Sequence, residues 1–300
     1  MPTSRISKGV RDLPRSLAPA CYLCGGSDLN RRKGTVRDAP LLHILECATC
    51  GLVTLSAHDH IRPGHYEDSG MHSPEPPSIA AWLRSTEADD TRRFEMLKAA
   101  LVNRRVLDFG SGAGGFMSRA QAAAAEVSGI EPERRVHEHW RGGLKLHRSL
   151  ESADSNYDVI TAFHVLEHLP DPRAILSALG ARLADNGRLI VEVSSADDAL
   201  LTLFDSESFQ RFTYWSQHLF LFNGETLRRV IAQAGLRLVS VQQYQRYPLS
   251  NHLYWLSRGR PGGHEQWPFL DTPALREAYA ASLAAIGRCD TLIAHIERRP

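Results

Sequence analysis

The chain has 300 residues, 43% hydrophobic and 23% charged, and its 35 Lys and Arg nearly balance 34 Asp and Glu. This composition excludes collagen, coiled-coil arrays and wholesale disorder, and a formal charge of +1 offers no general attraction to nucleic acid or an anionic membrane. No apolar run approaches the ~18 residues of a membrane span, and the Arg- and Pro-punctuated opening has no signal-peptide core, so a cytoplasmic protein without a membrane span is expected.

Residues 1–19 read as a flexible tail and 20–56 as a small module built on two CxxC pairs, Cys21/Cys24 and Cys47/Cys50. Each pair can offer two thiolates from one tight turn, and Gly25 and Gly51 let the backbone fold back toward a metal. Four soft ligands suit structural zinc in a zinc-ribbon-like unit whose spacer holds a hairpin, with Leu41 to Leu45 as one arm. Two disulfides are disfavoured without a secretory signal, and a redox CxxC without a surrounding βαβ pattern. A closed four-thiolate site leaves no position for substrate, so its expected work is folding. Residues 57–85 form a linker or a loop draped over a pocket. Its His58, His60, His65 and His72 read as solvated side chains, with Tyr66 beside them.

From Thr86 the pattern turns helical, and Val106 to Phe109 is a buried strand. Gly110-Ser111-Gly112-Ala113-Gly114-Gly115 follows as a strand-to-helix turn, and Phe116 to Ala125 is helical. Val127 to Ile130 is a second strand, ended by Glu131 where a nucleoside-binding unit needs an acceptor for two ribose hydroxyls. The glycines also satisfy GxGxxG, so a dinucleotide has to be weighed. Asp108, just ahead of the turn, would oppose a pyrophosphate but complement an ammonium group. S-adenosylmethionine, with its ribose and cationic amino-acid tail, fits better.

ValLeuAspPheGlySerGlyAlaGlyGlyPhe, then GlyIleGluPro at 129–132, then AsnTyrAspValIleThrAlaPheHisValLeuGluHisLeuProAspPro at 156–172, resemble the class I S-adenosylmethionine-dependent methyltransferases. The resemblance covers roughly residues 86–242. It implies a Rossmann-like α/β fold, a seven-stranded, mostly parallel sheet with helices on both faces. It also places Asp108, Gly110, Ser111, Gly112 and Gly114 against methionine and Glu131 on the ribose. Ala162, Phe163 and His164 would lie near the sulfonium, and Leu150 and Glu151 near adenine. Strands are expected at 144–147, 157–163, 188–193 and 236–242, with Asn251 to Ser257 as the seventh; helices are expected at 171–183 and 223–234. The methyltransferase domain then spans 86–258, and 259–300 is a C-terminal loop and helix.

His164 to His168 also spells HxxEH, an inverted zinc-protease motif, but Pro170 and Pro172 restrict the helix that such a site needs. His164 is instead expected in the pocket, with Glu167 and His168 anchoring the loop. Between 201 and 222 stand Phe204, Phe209, Phe212, Tyr214, Trp215, Phe220 and Phe222 around His218, as a wall of the acceptor pocket or a satellite core. For a hydroxyl or carbon acid the candidate bases are His218 first and His164 second, with Tyr214 positioning the acceptor. Residues 216–222 partly resemble zinc-bearing deoxysugar methyltransferases, with Gln217 in place of their acidic neighbour. Arg258 and Arg260 could meet a diphosphate or be solvated. From Asp271 to about Arg299 the pattern is helical with a possible break at Gly287, its stripe core or dimer surface.

The expected activity is methyl transfer to a small-molecule or sugar-containing acceptor, in surface-polysaccharide or natural-product assembly. An RNA methyltransferase, a non-catalytic cofactor-binding module and a dinucleotide oxidoreductase are the rivals. The first of these would need a basic face and usually an AsnProPro-type motif where Ala162-Phe163-His164 stands.

Overall fold

The computed structural model describes residues 20–62, 64–67, 71 and 75–299, so the expected tail and His72 lie outside the described residues. Three strands of a short four-stranded sheet come first: β1 (Leu29–Arg31), β2 (Ile44–Cys47) and β3 (Val53–Leu55). The first long helix, α1 (Ile79–Leu101), starts ahead of the expected Thr86 because the Ser78 side chain caps it by accepting from the Ala81 N–H. Then follow β4 (Arg105–Phe109), α2 (Gly115–Ala120), β5 (Glu126–Ile130), α3 (Arg134–His139), β6 (Lys145–His147), β7 (Tyr157–Phe163), α4 (Pro172–Gly180) and β8 (Leu183–Ser194). The chain continues through α5 (Ala199–Thr202), α6 (Glu207–Thr213), β9 (Phe220–Leu221), α7 (Gly224–Gln233) and β10 (Leu236–Tyr244). It ends with α8 (Leu249–Arg258), α9 (Gly263–Gln266), α10 (Pro273–Ala285) and β11 (Thr291–Arg298).

The main sheet has seven strands in the order β10-β11-β8-β7-β4-β5-β6. Neighbours from β8 to β6 run parallel, and β11 runs antiparallel to both β8 and β10. Successive strand residues point to opposite faces, and the core splits accordingly. Val106, Val127, Val159, Ile190 and Ile293 pack with Phe94, Leu97 and Leu101 of α1 and Phe116 and Met117 of α2. Their neighbours Leu107, Ile160, Leu189 and Leu292 pack with Leu176 and Leu179 of α4 and Leu227, Val230 and Ile231 of α7. Helices therefore cover both faces, and four parallel strands end together at the glycine turn.

Three local expectations are corrected. The first concerns Asn251 to Ser257, which lie in α8 and not in a strand. Asn251, His252, Tyr254 and Trp255 are buried at helical spacing, and Gly259 closes the helix at φ 65°. Secondly, the helical run from Asp271 stops at Ala285, and Gly287 turns the chain at φ 67° into β11, the true seventh strand. Leu292 and Ile296 are one helical turn apart, but β11 lies between two partners and is apolar on both faces, which hides the strand period. The hairpin arm, finally, begins at Ile44; Leu41 is 92% exposed.

The small sheet runs β1-β2-β3-β9, with Val53 paired to Leu221 and Thr54 to Phe220. A strand from the aromatic segment thus completes the cysteine module. Phe220 and Phe222 are fully buried there.

Candidate active site

One cavity of about 600 Å³ opens along the carboxyl ends of β4, β5, β7 and β8. At one end lie Trp82, Asp90, Asp108, Gly110, Ser111, Gly112 and Glu131. Gly112 has φ 53°, and a Cβ there would sit 3.1 Å from the Trp82 ring. Its N–H donates to Glu131 Oε2 at 2.9 Å, and the Glu133 N–H donates to Oε1 at 3.0 Å. Each carboxylate oxygen keeps a lone pair for another donor. Ser111 Oγ is buried with no partner among the described residues. Asp108 is buried beneath the turn and accepts from Thr161 Oγ1 at 2.7 Å. Burial pushes the Asp108 and Glu131 carboxyls each up to about 7, against the bonds from Thr161 and from the Glu133 and Gly112 amides. Burial raises Asp90 as well. Arg93 lies 3.7 Å from Asp90, whereas Asp108 and Glu131 are held by hydrogen bonds alone among the described residues, which makes this end suited to a positively charged ligand.

Gly114 does not line the cavity; a Cβ there would meet Leu144 and Trp140. Leu150 is buried in a short turn and Glu151 is exposed, and neither lines the cavity. Phe163 and His164 do, whereas Ala162 does not.

His164 occupies a left-handed conformation at φ 53°. Its Nδ1 faces Glu167 Oε1 at 2.9 Å and its Nε2 faces Glu192 Oε1 at 3.1 Å, with Arg246 Nη1 3.3 Å from Nε2. Burial opposes charge on this ring, but the hydrogen bonds to Glu167 and Glu192 outweigh it and raise its pKa. With both nitrogens committed to carboxylates, His164 has no lone pair for a substrate proton. This corrects its place as second candidate base. Tyr214 is also corrected: its ring packs against Gly34 in the cysteine module, and it does not line the cavity.

The other end is walled by Leu169, Phe209, Phe212, Trp215 and Trp255, with His168 and His218 among them. The aromatic segment is therefore divided, since Phe220 and Phe222 form core while Phe209, Phe212 and Trp215 form wall. His168 Nδ1 donates to the Gln217 carbonyl at 2.8 Å, and His218 Nδ1 to the Thr213 carbonyl at 3.1 Å. Carbonyls only accept, so both rings keep their Nε2 lone pairs. Burial and the neighbouring His168 push His218 down to about 3, so it is neutral at physiological pH. The loop after β3 drapes over this end. His60 donates to the Ser216 carbonyl, His65 to Gln217 Oε1 and the Tyr66 hydroxyl to the His168 carbonyl. His58 meets Thr54 Oγ1 at 3.0 Å, so His58, His60 and His65 are tethered, contrary to the solvated reading.

Residues 81–241 match a family described as a methyltransferase domain, more than half of the chain. The chain belongs to this family and is an S-adenosylmethionine-dependent methyltransferase. A ubiquinone biosynthesis O-methyltransferase of Aeromonas salmonicida is 28% identical over 170 residues, covering 50% of this chain and 70% of that protein. The protein of the same name from Methylococcus capsulatus is 32% identical over 146 residues, covering 44% of this chain and 61% of its own length. A SAM-dependent methyltransferase from Archaeoglobus fulgidus shares the fold, with a TM-score of 0.50, 17% identity, and coverage of 76% of this chain and 98% of that one.

Several cavity residues of the methyltransferase escaped the sequence. Trp82, Thr86, Asp89, Asp90 and Arg93 form one stripe of α1, whose polar residues read in sequence as a solvated helix face. Arg37 comes from the cysteine module, its guanidinium 4.8 Å from the Trp215 ring centroid and 5.5 Å from that of Phe212. Arg246 and Asp290 follow β10 and precede β11, whose positions depend on the sheet. Arg258 and Arg260 do not line the cavity, and Arg260 donates to the Tyr254 hydroxyl.

The cysteine quartet lies apart from the cavity. Cys21 Sγ is 3.5 Å from Cys50 Sγ, Cys24 Sγ is 3.5 Å from Cys47 Sγ, and all four sulfurs lie within 4.8 Å of one another. A tetrahedral ion with ~2.3 Å bonds to sulfur needs edges of ~3.8 Å, so these positions can hold a metal.

Proposed function

We propose that this methyltransferase transfers a methyl group to a hydroxyl of a small, ring-bearing acceptor held among Phe209, Phe212, Trp215 and Trp255. The observation that carries the reading is a single cavity joining the carboxylate-rich turn to this aromatic wall. S-adenosylmethionine supplies an electrophilic methyl on a positively charged sulfur. Asp108 complements its ammonium group, the free lone pairs of Glu131 take the ribose hydroxyls, and the unpartnered Ser111 Oγ offers a further polar contact. Phe163 lies where the sulfonium would meet the acceptor. His218 and His168 turn their Nε2 lone pairs to the acceptor oxygen, and the rings around them exclude water from the displacement. Zinc is the metal we assign to Cys21, Cys24, Cys47 and Cys50, as a structural ion.

Relatives named for O-methylation in ubiquinone biosynthesis support an aromatic hydroxyl as the acceptor. A sugar-bearing acceptor is the second reading, favoured by the polar lining of Ser195, Asp198, Asn251 and His252 beyond the aromatic wall. Melting temperature in S-adenosylhomocysteine plus either polyhydroxylated benzoates or nucleotide sugars separates the two; a further rise with the phenols alone is expected. His218→Ala should abolish turnover and leave S-adenosylhomocysteine affinity within about twofold by calorimetry. Unchanged turnover would remove His218 from the site.

A further inference from the structure

Three groups at the acceptor end converge in a way that methyl transfer alone does not require. One ligand-capable atom from each of Glu167, His168 and His218 lies within 4.8 Å of the other two. Both imidazoles have their Nδ1 protons fixed on backbone carbonyls, the arrangement that orients a metal-binding histidine. Their ring centroids are 4.9 Å apart. Glu167 is fully buried; its Oε1 accepts from His164 and from the Ser194 N–H, while Oε2 has no partner among the described residues. An unpartnered buried carboxylate oxygen is costly unless something cationic meets it. His164 is not part of this set, because it is clamped between Glu167 and Glu192, so the HxxEH string is not read here as a protease pair.

We propose that Glu167, His168 and His218 form a divalent-cation site opening on the acceptor cavity. Two imidazoles and one carboxylate suit a first-row ion and leave coordination positions free. Those positions face where the acceptor binds, so the acceptor class is one with adjacent oxygens, a catechol or a hydroxy-carbonyl compound. This use of the ion rests on the methyl-transfer reading above, and it makes His218 a ligand whose lone pair serves the cation. The acceptor hydroxyl gives its proton to solvent, and its oxygen stays on the ion. That oxygen takes the methyl as the sulfonium becomes a neutral thioether.

The test is a Mn2+ titration of the full chain with its cysteine site already loaded with zinc, free Mn2+ being read by electron paramagnetic resonance. Mn2+ is a poor ligand partner for thiolates, so it reports on the nitrogen and oxygen site. One Mn2+ per chain is expected, with the Kd raised at least ~10-fold in His218→Ala and in Glu167→Gln. A cooperative thermal transition followed by circular dichroism shows that each variant is folded, S-adenosylhomocysteine calorimetry is run on the same samples, and His218→Ala decides if Glu167→Gln does not fold. Absence of stoichiometric Mn2+ binding in the parent protein, or equal binding in folded His218→Ala, overturns the site. Mn2+ binding without S-adenosylhomocysteine binding would instead sink the methyl-transfer reading of the cavity and leave the ion site standing.

Discussion

Asp108 and Glu131 are the residues whose chemistry is most exposed to test. Both carboxyls sit near pKa 7 because burial disfavours their charge. A carboxyl whose folded pKa exceeds its unfolded value near 4 contributes stability at low pH, and that contribution is lost as pH rises from about 4 through 7. A cationic ligand favours the ionised forms, so it should repair the loss. The melting-temperature gain from S-adenosylhomocysteine is therefore expected to be larger at pH 8 than at pH 5.5, and equal gains would show that Asp108 does not meet the ligand's ammonium. Asp108→Asn keeps the shape and removes the charge. Calorimetry should record a loss of ~10–100-fold in S-adenosylhomocysteine affinity, the worth of a charged hydrogen bond. These two acids were legible from sequence because strand, glycine turn and second strand lie close together along the chain. The commitment of His164 was not, since Glu192 reaches it from the neighbouring strand β8.

At the level of elements, α4 shows how local chemistry fixes a boundary that the cavity depends on. Asp171 accepts from the Ala174 N–H, Pro172 opens the first turn, and the Tyr22 hydroxyl of the cysteine module donates to the same carboxylate. Asp171→Ala loses both the cap and the tie. A destabilisation of ~1 kcal/mol is expected, read as a fall of ~2–4 °C in melting temperature. Capped helices and parallel strands carry such local signatures, so their existence and order could be read in advance. The element β11 carries none. Its buried run Leu292, Ile293, Ala294 and Ile296 becomes a strand only because β8 and β10 hydrogen-bond it on both sides. The stripe of α1 was hidden for a related reason: Asp90 and Arg93 look like an ordinary solvated face until α2 and β8 cover them.

Across the whole molecule, the cysteine module and the main sheet are joined through the aromatic wall of the cavity. Asp38 accepts from the Ser216 N–H and hydroxyl, Arg37 donates to the Phe212 carbonyl, and β3 pairs with β9 just beyond. Emptying the quartet of the zinc proposed for it should loosen this wall while leaving the glycine turn intact. In the Cys21→Ser, Cys24→Ser double variant, KM for the acceptor is expected to rise several-fold while S-adenosylhomocysteine affinity stays within about twofold; parallel losses in both would mean global unfolding. The same β3–β9 pairing also sets an order on synthesis. The Thr54 hydroxyl bonds the Leu219 carbonyl across 165 residues of sequence. A nascent chain therefore carries β3 out of the ribosome with one edge bare, and that edge stays open to adventitious strand pairing until the far segment emerges to cover it.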